Sequence, residues 1–224
     1  MCDNEKVLRM PLLGDPCPEF EAMTTQGPIK FPQDFSGKWI VFFSHPADFT
    51  PVCTTEFMTF AARAKEFEAI NTQLVGLSVD SISAHIAWLR RIKELEWKDM
   101  KNVDVKFPLI DDISMNVAHQ FGMIMPGQSN TMAVRAVFII DPKGIIRLIL
   151  YYPLSTGRNV DEIKRAVMAL QKADKDGCAT PMNWMPGQDT IVPPPKTMEV
   201  AKQRAALKGK QYALDWFLVF NKES

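Results

Sequence analysis

The chain has 224 residues, of which 46% are hydrophobic and 23% are charged, as in an ordinary globular protein. Its 26 basic and 26 acidic residues cancel, which argues against nucleic-acid or membrane partners recognised through concentrated positive charge. The length predicts one full domain with a sizeable appendage. The first residues lack a signal-peptide core, and no apolar run approaches the ~20 residues that span a bilayer, so we expect a cytoplasmic protein.

Strand and helix patterns alternate in the first half of the chain, which predicts βα units around a mixed or parallel sheet. An apolar run at 39–44 predicts a buried strand; a turn with two prolines follows, and a helical pattern then covers 52–70. The next strand is predicted at 74–79. Ser81 is a candidate N-cap for a long amphipathic helix. The predicted inward face of that helix consists of apolar side chains at helical spacing: Ile82, Ile86, Leu89, Ile92 and Leu95.

The second half continues the same alternation. A short strand at 107–110 and a helix at 113–121 precede two strands, at 133–140 and 145–151, which a turn joins into a hairpin. A further helix, starting at Asn159 or Asp161, ends near residue 174. The sequence therefore predicts an α/β fold.

Beyond that helix the composition changes. Irregular proline-containing segments precede a basic helix at 197–207 and an aromatic end at 212–220. We therefore divide the chain into a domain at 6–172 and a C-terminal arm at 173–224. An aromatic end left free in water would expose a large apolar patch, so we expect it to pack on another subunit.

The cysteine pattern argues against a metal site. Cys2, Cys17, Cys53 and Cys178 form no C-x-x-C pair and have no histidine-rich partner segment, so we predict no zinc or other metal. In a reducing compartment, a lone cysteine is either a small buried residue or a reactive thiol. Its surroundings decide between the two.

Cys53 has the surroundings of a reactive thiol. The predicted strand ends, the chain turns, and Cys53 falls in the opening turn of the next helix. Unpaired backbone N–H groups and the positive end of the helix dipole favour the thiolate at that position. Thr50 lies one turn earlier, where its hydroxyl can reach the sulfur and a substrate oxygen. Pro46 and Pro51 fix the backbone and remove N–H groups, which shapes a wall against water.

The spacing P-x-x-x-T-x-x-C, formed by Pro46, Thr50 and Cys53 within the run HPADFTPVCTTE, resembles the active-site motif of the peroxiredoxins. The resemblance extends through 134–144 and 152–159 and, with the long arm, indicates the one-cysteine-like subfamily of archaeal and bacterial type. It implies a thioredoxin-like fold with a C-terminal dimerisation arm. It also implies that the chain reduces hydrogen peroxide and organic hydroperoxides without metal, haem or flavin.

The resemblance assigns roles to the polar residues. Cys53 is then the peroxidatic nucleophile, whose thiolate attacks the O–O bond and becomes a sulfenic acid. Arg135 matches the family's strand arginine, which stabilises the thiolate and binds the peroxide oxygens. Glu56 holds that arginine in place, and Arg158 adds positive field.

Histidines receive weaker assignments. His45 resembles a histidine typical of the subfamily, and the sequence leaves open whether it acts as an acid or base or is a satisfied structural residue. His85 and His119 lie on predicted helices, where we expect packing or solvent exposure.

The remaining cysteines bear on how the sulfenic acid is reduced. Cys178 lies near the region where two-cysteine peroxiredoxins keep their resolving cysteine, which makes it a candidate to resolve Cys53. The C-terminal stretch 212–220 has no cysteine, unlike archaeal relatives. Cys17 is expected in the core, and Cys2 is expected at a frayed terminus without a role.

The sequence thus predicts a thiol peroxidase that protects the cell against oxidative stress and is reduced by an external thiol, thioredoxin-like or glutathione-like. By resemblance it forms a homodimer, further organised as a pentamer of dimers. The alternative is a redox-regulated chaperone or signalling oligomer. A disulfide reductase of thioredoxin type is disfavoured because the chain has no C-x-x-C pair.

Overall fold

The computed structural model describes residues 10–223, which form two units that divide between Val160 and Asp161. The sequence places the boundary later, between residues 172 and 173, which is inside the long helix that begins the second unit. Cys2 and the predicted domain start at residue 6 lie outside the described residues.

The first unit is built on a seven-stranded mixed sheet. Its strands lie in the order β2-β1-β7-β4-β3-β8-β9, with β3, β4 and β7 parallel and the remaining neighbours antiparallel. This confirms the α/β class. The strands are β1 Phe20–Thr24, β2 Gly27–Phe31, β3 Trp39–Ser44, β4 Thr72–Ser78, β7 Leu109–Asp111, β8 Arg135–Ile140 and β9 Ile146–Tyr152; the short strands β5 Glu96–Trp97 and β6 Met100–Lys101 form a separate hairpin.

The core lies on both faces of the sheet's centre. Every residue of β3 and β8 is buried, which explains why their sequences are continuous apolar runs rather than alternating ones. Phe42 pairs with Phe138 across the two strands, and each such phenylalanine stabilises the fold by ~1.5–3 kcal/mol through burial. The β8–β9 hairpin confirms the prediction from the sequence.

The hairpin of β1 and β2 was not predicted. Its strands are only half-buried, and glutamate, threonine and lysine interrupt their apolar residues, so neither run has a distinct strand pattern. Gly27, at a φ of +105°, makes the connecting turn possible.

The helices of the first unit begin and end close to the predicted positions. They are α1 Pro51–Ala62, α2 Ala64–Glu68, α3 Ile82–Glu94 and α4 Asn116–Gln120. The single helix predicted at 52–70 is wrong, because the backbone leaves helical values at Arg63 and divides it into α1 and α2. The predicted helix at 113–121 begins later, because Met115, directly before Asn116, has a φ of +59° and so lies outside the right-handed helical region.

Helix α3 begins as predicted, with the Ser81 hydroxyl accepting the N–H of Ala84. Its predicted inward face is confirmed at Ile92 and wrong at Ile86. The buried residues are His85, Trp88 and Ile92, whereas Ile86 is 48% exposed. Periodicity of apolar residues failed here because a buried polar side chain, His85, belongs to the inward face.

The second unit contains two helices and a small sheet. These are α5 Val160–Asp176, α6 Met198–Arg204 and the strands β10 Thr190–Ile191, β11 Gln211–Asp215 and β12 Leu218–Asn221, in the order β10-β12-β11. The predicted aromatic end is the β11–β12 hairpin, and its turn exposes Trp216 and Phe217. Within residues 10–223, no helix is both long and apolar enough to cross a bilayer.

Candidate active site

Cys53 lies in the first turn of α1, directly after the loop that follows β3. Thr50 is the N-cap residue and Pro51 the first helical residue, which suits a position whose N–H has no intrahelical partner. The Cys53 side chain is completely buried. Cys53 therefore lies in the opening turn of a helix, as the sequence predicts, and its sulfur is shielded from water.

The Arg135 guanidinium lies against this sulfur. Its Nη1 donates to Cys53 Sγ at 3.3 Å and to Glu56 Oε2 at 2.8 Å. Its Nε and Nη2 donate to the Leu154 carbonyl oxygen, at 3.1 and 2.8 Å. The arginine is buried at the start of β8, so both its charge and its direction are fixed.

Glu56 links the two arginines. Besides Arg135, its carboxylate accepts Arg158 Nε at 2.9 Å, Nη2 at 2.7 Å and the Arg158 backbone N–H at 2.8 Å. Burial acts to raise the pKa of Glu56, but the charge and hydrogen bonds of Arg158, together with the charge of Arg135, hold it below the usual range. We call these three residues the guanidinium cluster. One carboxylate and two guanidiniums leave one positive charge beside the sulfur.

Arg158 contacts strands β3 and β8 as well as Glu56. Its Nη1 donates to the carbonyl oxygens of Ser44, the last residue of β3, at 2.8 Å and of Ala136, the second residue of β8, at 3.0 Å. Its guanidinium also lies over the rings of Phe43 and Phe60, 5.1 and 5.6 Å from their centroids. Arg158 therefore ties the cluster to the sheet.

The loop between β3 and α1 holds the motif's other residues. Pro46 is buried, as a wall against water requires. The Thr50 hydroxyl donates its proton to the Ala47 carbonyl oxygen at 2.8 Å, so its lone pairs are what it offers to a hydroxyl donor. Phe49 has a φ of +56° and is 60% exposed, which marks a tight bend in the loop.

Two residues missed by sequence reasoning join His45 in a buried network. Asp48 Oδ1 lies 2.8 Å from His45 Nε2, and its Oδ2 lies 2.7 Å from His85 Nδ1. His85 Nε2 lies 3.0 Å from the Ile110 carbonyl oxygen. All three side chains are almost fully buried. We call His45, Asp48 and His85 the histidine network; the sequence expectation that His85 serves packing overlooked its polar partners.

One group of side chains is compact enough to be considered for a metal ion. Ligand atoms of His45, Asp48 and Asp80 lie within 4.8 Å of one another. Each already has protein partners: Asp80 accepts the Asp48 N–H and the Ser78 hydroxyl, and Asp48 bonds both histidines. The arrangement is that of a hydrogen-bond network rather than a set of metal ligands.

The other described cysteines have different surroundings. Cys17 packs in the hydrophobic core, as predicted, and burial raises its pKa to about 12, so it stays a thiol. Cys178 follows α5 and is buried, with its Sγ 3.7 Å from the Lys172 carbonyl oxygen. All three described cysteines are free.

Known proteins resemble this chain over nearly its whole length. Residues 13–149 match the AhpC/TSA family, and residues 169–206 match the C-terminal domain of 1-Cys peroxiredoxin. A peroxiredoxin of Methanosarcina mazei is 59% identical over 96% of this chain and 99% of its own length. A peroxiredoxin of Aquifex aeolicus is 52% identical over 95% of this chain and 97% of its own.

Solved structures show the same likeness. The yeast mitochondrial 1-Cys peroxiredoxin, whose structure is described as the basis of thiol resolution via glutathione/thioredoxin systems, superposes with a TM-score of 0.82 and 40% identity over 95% of this chain and 100% of that one. Peroxiredoxin 6 of Arenicola marina superposes with a TM-score of 0.80 and 32% identity, over 96% and 99%. The thioredoxin-like fold is thereby confirmed.

Proposed function

Because the chain belongs to the AhpC/TSA family of peroxiredoxins, and is therefore a thiol-dependent peroxidase, we propose that Cys53 is its peroxidatic cysteine. The observation that supports this most directly is the 3.3 Å contact between Cys53 Sγ and the Arg135 guanidinium. A buried sulfur beside a fixed cation in the first turn of a helix has the surroundings of a reactive cysteine. No other described cysteine has such surroundings.

The proposed reaction has two parts. The Cys53 thiolate attacks the terminal oxygen of a hydroperoxide, the S–O bond forms as the O–O bond breaks, and the electron pair leaves on the second oxygen. That oxygen takes up a proton and departs as water or alcohol, while sulfur becomes a sulfenic acid. Negative charge moves from sulfur to oxygen, and the Arg135 guanidinium stabilises both positions.

Thr50 and Pro46 complete the pocket in this proposal. The Thr50 oxygen, whose own proton is given to Ala47, accepts the peroxide O–H and turns the distal oxygen toward sulfur. Buried Pro46 keeps water away. Glu56 and Arg158 are positioning residues that aim Arg135 through the contacts of the guanidinium cluster.

We propose that an external thiol reduces the sulfenic acid. One thiol forms a mixed disulfide with Cys53 and releases water, and a second thiol restores the Cys53 thiol and leaves as a disulfide. A thioredoxin-like or glutathione-like reductant fits the likeness to the yeast mitochondrial enzyme. Cys178 is the internal alternative; its burial and its contact with the Lys172 carbonyl favour the external route.

The test treats reduced protein with one equivalent of hydrogen peroxide and maps adducts by peptide mass. We expect a trapped sulfenic acid on Cys53, and we expect Cys53→Ser to consume no peroxide above background. Cys17→Ser is the matched control, because that thiol is equally buried but lacks a cation, and it should keep full activity after a folding check. Wild-type peroxide consumption by Cys53→Ser would overturn the proposal. A Cys53–Cys178 disulfide would replace the external thiol by the internal one.

We further propose a cytoplasmic homodimer, assembled as a pentamer of dimers, in which the C-terminal arm forms the dimer contact. The exposed Leu214, Trp216 and Phe217 of the β11–β12 hairpin support an interface on the arm, and a thiol cycle requires a reducing compartment. Light scattering on wild type and on Trp216→Ser measures the assembly. We expect the variant to be smaller and Leu13→Ser, at an exposed site of the first unit, to be unchanged.

A further inference from the structure

Ser44 is the last residue of β3 and precedes the active-site motif, and its side chain is completely buried. Its hydroxyl donates to the Val134 carbonyl oxygen at 2.6 Å and accepts the Ala136 N–H at 3.1 Å. These roles are fixed, because a carbonyl oxygen only accepts and a backbone N–H only donates. The two backbone groups flank Arg135, whose guanidinium contacts Cys53 Sγ. The Ser44 hydroxyl therefore holds the backbone at the residue that carries the cation.

The two peptide groups that Ser44 bonds set the direction of the Arg135 side chain. A peptide group is planar, so the backbone at one Cα atom has only two free torsion angles, φ and ψ. Holding the peptide groups before and after Arg135 fixes both angles and, with them, the direction of the Cα–Cβ bond. The Ala136 N–H also lies 3.0 Å from the Val134 carbonyl oxygen, which closes a three-residue turn with Arg135 at its centre. The hydroxyl bonds both ends of this turn.

The regular pairing of β3 with β8 ends one residue before Ser44. Its last pair is Phe43 with Val137. At Ser44 the side-chain hydroxyl, rather than the backbone of β3, bonds the chain on both sides of Arg135. The hydroxyl thus extends the hydrogen bonding between the two strands as far as the arginine.

The backbone carbonyl of Ser44 supports the same arginine from its other end. It accepts Arg158 Nη1 at 2.8 Å, and Arg158 Nη2 donates to Glu56 Oε2 at 2.7 Å. The same Glu56 oxygen accepts Arg135 Nη1 at 2.8 Å. Ser44 is therefore joined to Arg135 twice, at the backbone through its hydroxyl and at the guanidinium through the guanidinium cluster.

We propose that Ser44 is a positioning residue for the reaction with peroxide, whose buried hydroxyl fixes the backbone at Arg135 and so holds the guanidinium against Cys53 Sγ. This inference rests on the proposed function of Cys53. A guanidinium stabilises the transition state only where its N–H groups point at the atoms that gain charge. A misplacement of about 1 Å can lower a rate about 10²-fold, so the backbone that carries the arginine has to be held.

The first experiment is a double-mutant cycle on kcat/KM for hydrogen peroxide, measured by stopped flow. Ser44→Ala removes both hydrogen bonds of the hydroxyl and leaves the Ser44 carbonyl in place. We expect it to lower kcat/KM about tenfold in the wild-type chain, because Arg135 is less well aimed. In the Arg135→Met background the same change should have no further effect, since the guanidinium that it positions is gone. A loss of equal size in both backgrounds, or wild-type kcat/KM in Ser44→Ala, would overturn the proposal.

Thr24→Val is the matched control, because Thr24 of β1 is bonded in the same way as Ser44. Thr24 is 2% exposed, and its hydroxyl donates to the Gly27 carbonyl oxygen at 2.7 Å and accepts the Gln26 N–H at 3.0 Å. Both variants lose a buried hydroxyl with two backbone hydrogen bonds, so both should lower the free energy of unfolding. Only Ser44→Ala should lower kcat/KM. An equal kinetic loss in Thr24→Val would mean that lost stability alone explains the effect, and the proposal would fail.

The second experiment locates the guanidinium directly, in crystal structures of the wild type and of the two single variants. We expect Arg135 Nη1 to stay near 3.3 Å from Cys53 Sγ in the wild type and Thr24→Val, and to lie beyond hydrogen-bonding distance in Ser44→Ala. An unchanged contact in Ser44→Ala would contradict the proposal. Because this measurement needs no turnover, it tests the positioning of Arg135 separately from the identity of the nucleophile, which Cys53→Ser tests.

Ser44→Cys replaces Ser44→Ala in both experiments if the alanine variant does not fold. A thiol has nearly the shape of the hydroxyl but is only a weak donor and a weak acceptor. We expect kcat/KM to fall about threefold or more in the wild-type chain and to stay constant in the Arg135→Met background. A folded Ser44→Cys with wild-type kcat/KM would refute the role of the hydroxyl.

Discussion

The guanidinium cluster and the histidine network both bury a carboxylate between two bases, yet they differ in what the bases can do. In the guanidinium cluster both bases are arginines, which cannot lose a proton, so the positive charge beside Cys53 Sγ is permanent. In the histidine network both bases are imidazoles, a side chain that also exists as a neutral ring. The chain thus buries permanent charges beside the Cys53 sulfur and places imidazoles, which need not be charged, around the carboxylate of the neighbouring loop.

The largest effect should come from removing the charge that touches sulfur. Arg135→Met keeps the length of the side chain but removes the cation 3.3 Å from Cys53 Sγ. We expect kcat/KM for hydrogen peroxide to fall about 10²–10³-fold, as for other donors aimed at a transition state. Stopped-flow kinetics measures it, with circular dichroism as the folding check. A fall of less than threefold in folded protein would contradict the role of Arg135.

Removing the carboxylate of each cluster tests how arginine and histidine partners differ. Glu56→Gln leaves Arg135 and Arg158 charged and buried without a counter-ion, and we expect it to cost about 3–5 kcal/mol in the free energy of unfolding. Asp48→Asn should cost less, about 1–3 kcal/mol, because its partners are histidines, which unlike arginines can be buried without a charge. Urea unfolding at pH 7 measures both. Equal losses of unfolding free energy in the two variants would show that arginine and histidine partners do not differ in energy around a buried carboxylate.

The dependence of stability on pH follows from the lowered pKa of Glu56. A carboxyl whose pKa is depressed in the folded state contributes stability above its ordinary value of ~4.3 and loses it as pH falls toward the folded value. The difference in unfolding free energy between wild type and Glu56→Gln should therefore be largest at neutral pH and shrink below about pH 4. Urea titrations over this range measure it. A difference that stays constant with pH would contradict the depressed pKa.

The smallest effect is expected at an exposed pair of the same chemistry. Arg91 Nη1 lies 2.7 Å from Glu94 Oε2, as short as the contacts of the guanidinium cluster, but both side chains are more than half exposed. Arg91→Ala should change the free energy of unfolding by less than about 1 kcal/mol. A cost approaching that of Glu56→Gln would show that contact distance, rather than burial, sets the energy.

Sequence reasoning predicted the guanidinium cluster better than the histidine network. Cys53 and Thr50 lie within one recognisable sequence motif, and the resemblance to the peroxiredoxins identified Arg135 as their partner. His85 lies 37 positions from Asp48 on a helix whose apolar pattern favoured Ile86 as the inward residue. The periodicity argument uses only the spacing of hydrophobic residues. It therefore cannot identify a polar side chain that is buried together with its hydrogen-bond partner.

The same limit applies to the sheet. Strands buried on both faces, such as β3 and β8, appear as apolar runs and were predicted to within two residues. The half-buried β1 and β2 carry Glu21 and Lys30 opposite one another, and only the pairing across the hairpin explains their charges. A strand whose residues are explained only by a partner elsewhere in the fold is therefore hard to predict from the local sequence pattern.

The distance along the chain between Cys53 and its cation has a consequence for protein synthesis. Arg135 follows Cys53 by 82 positions, and Arg158 follows Glu56 by 102. At ~5–20 residues per second, a ribosome delivers the cysteine several seconds before either guanidinium. During that interval the nascent chain carries the thiol without the guanidinium that contacts it in the fold. If Cys53 is the peroxidatic cysteine proposed above, the order of translation delays its activation until the fold that shields the sulfur has been made.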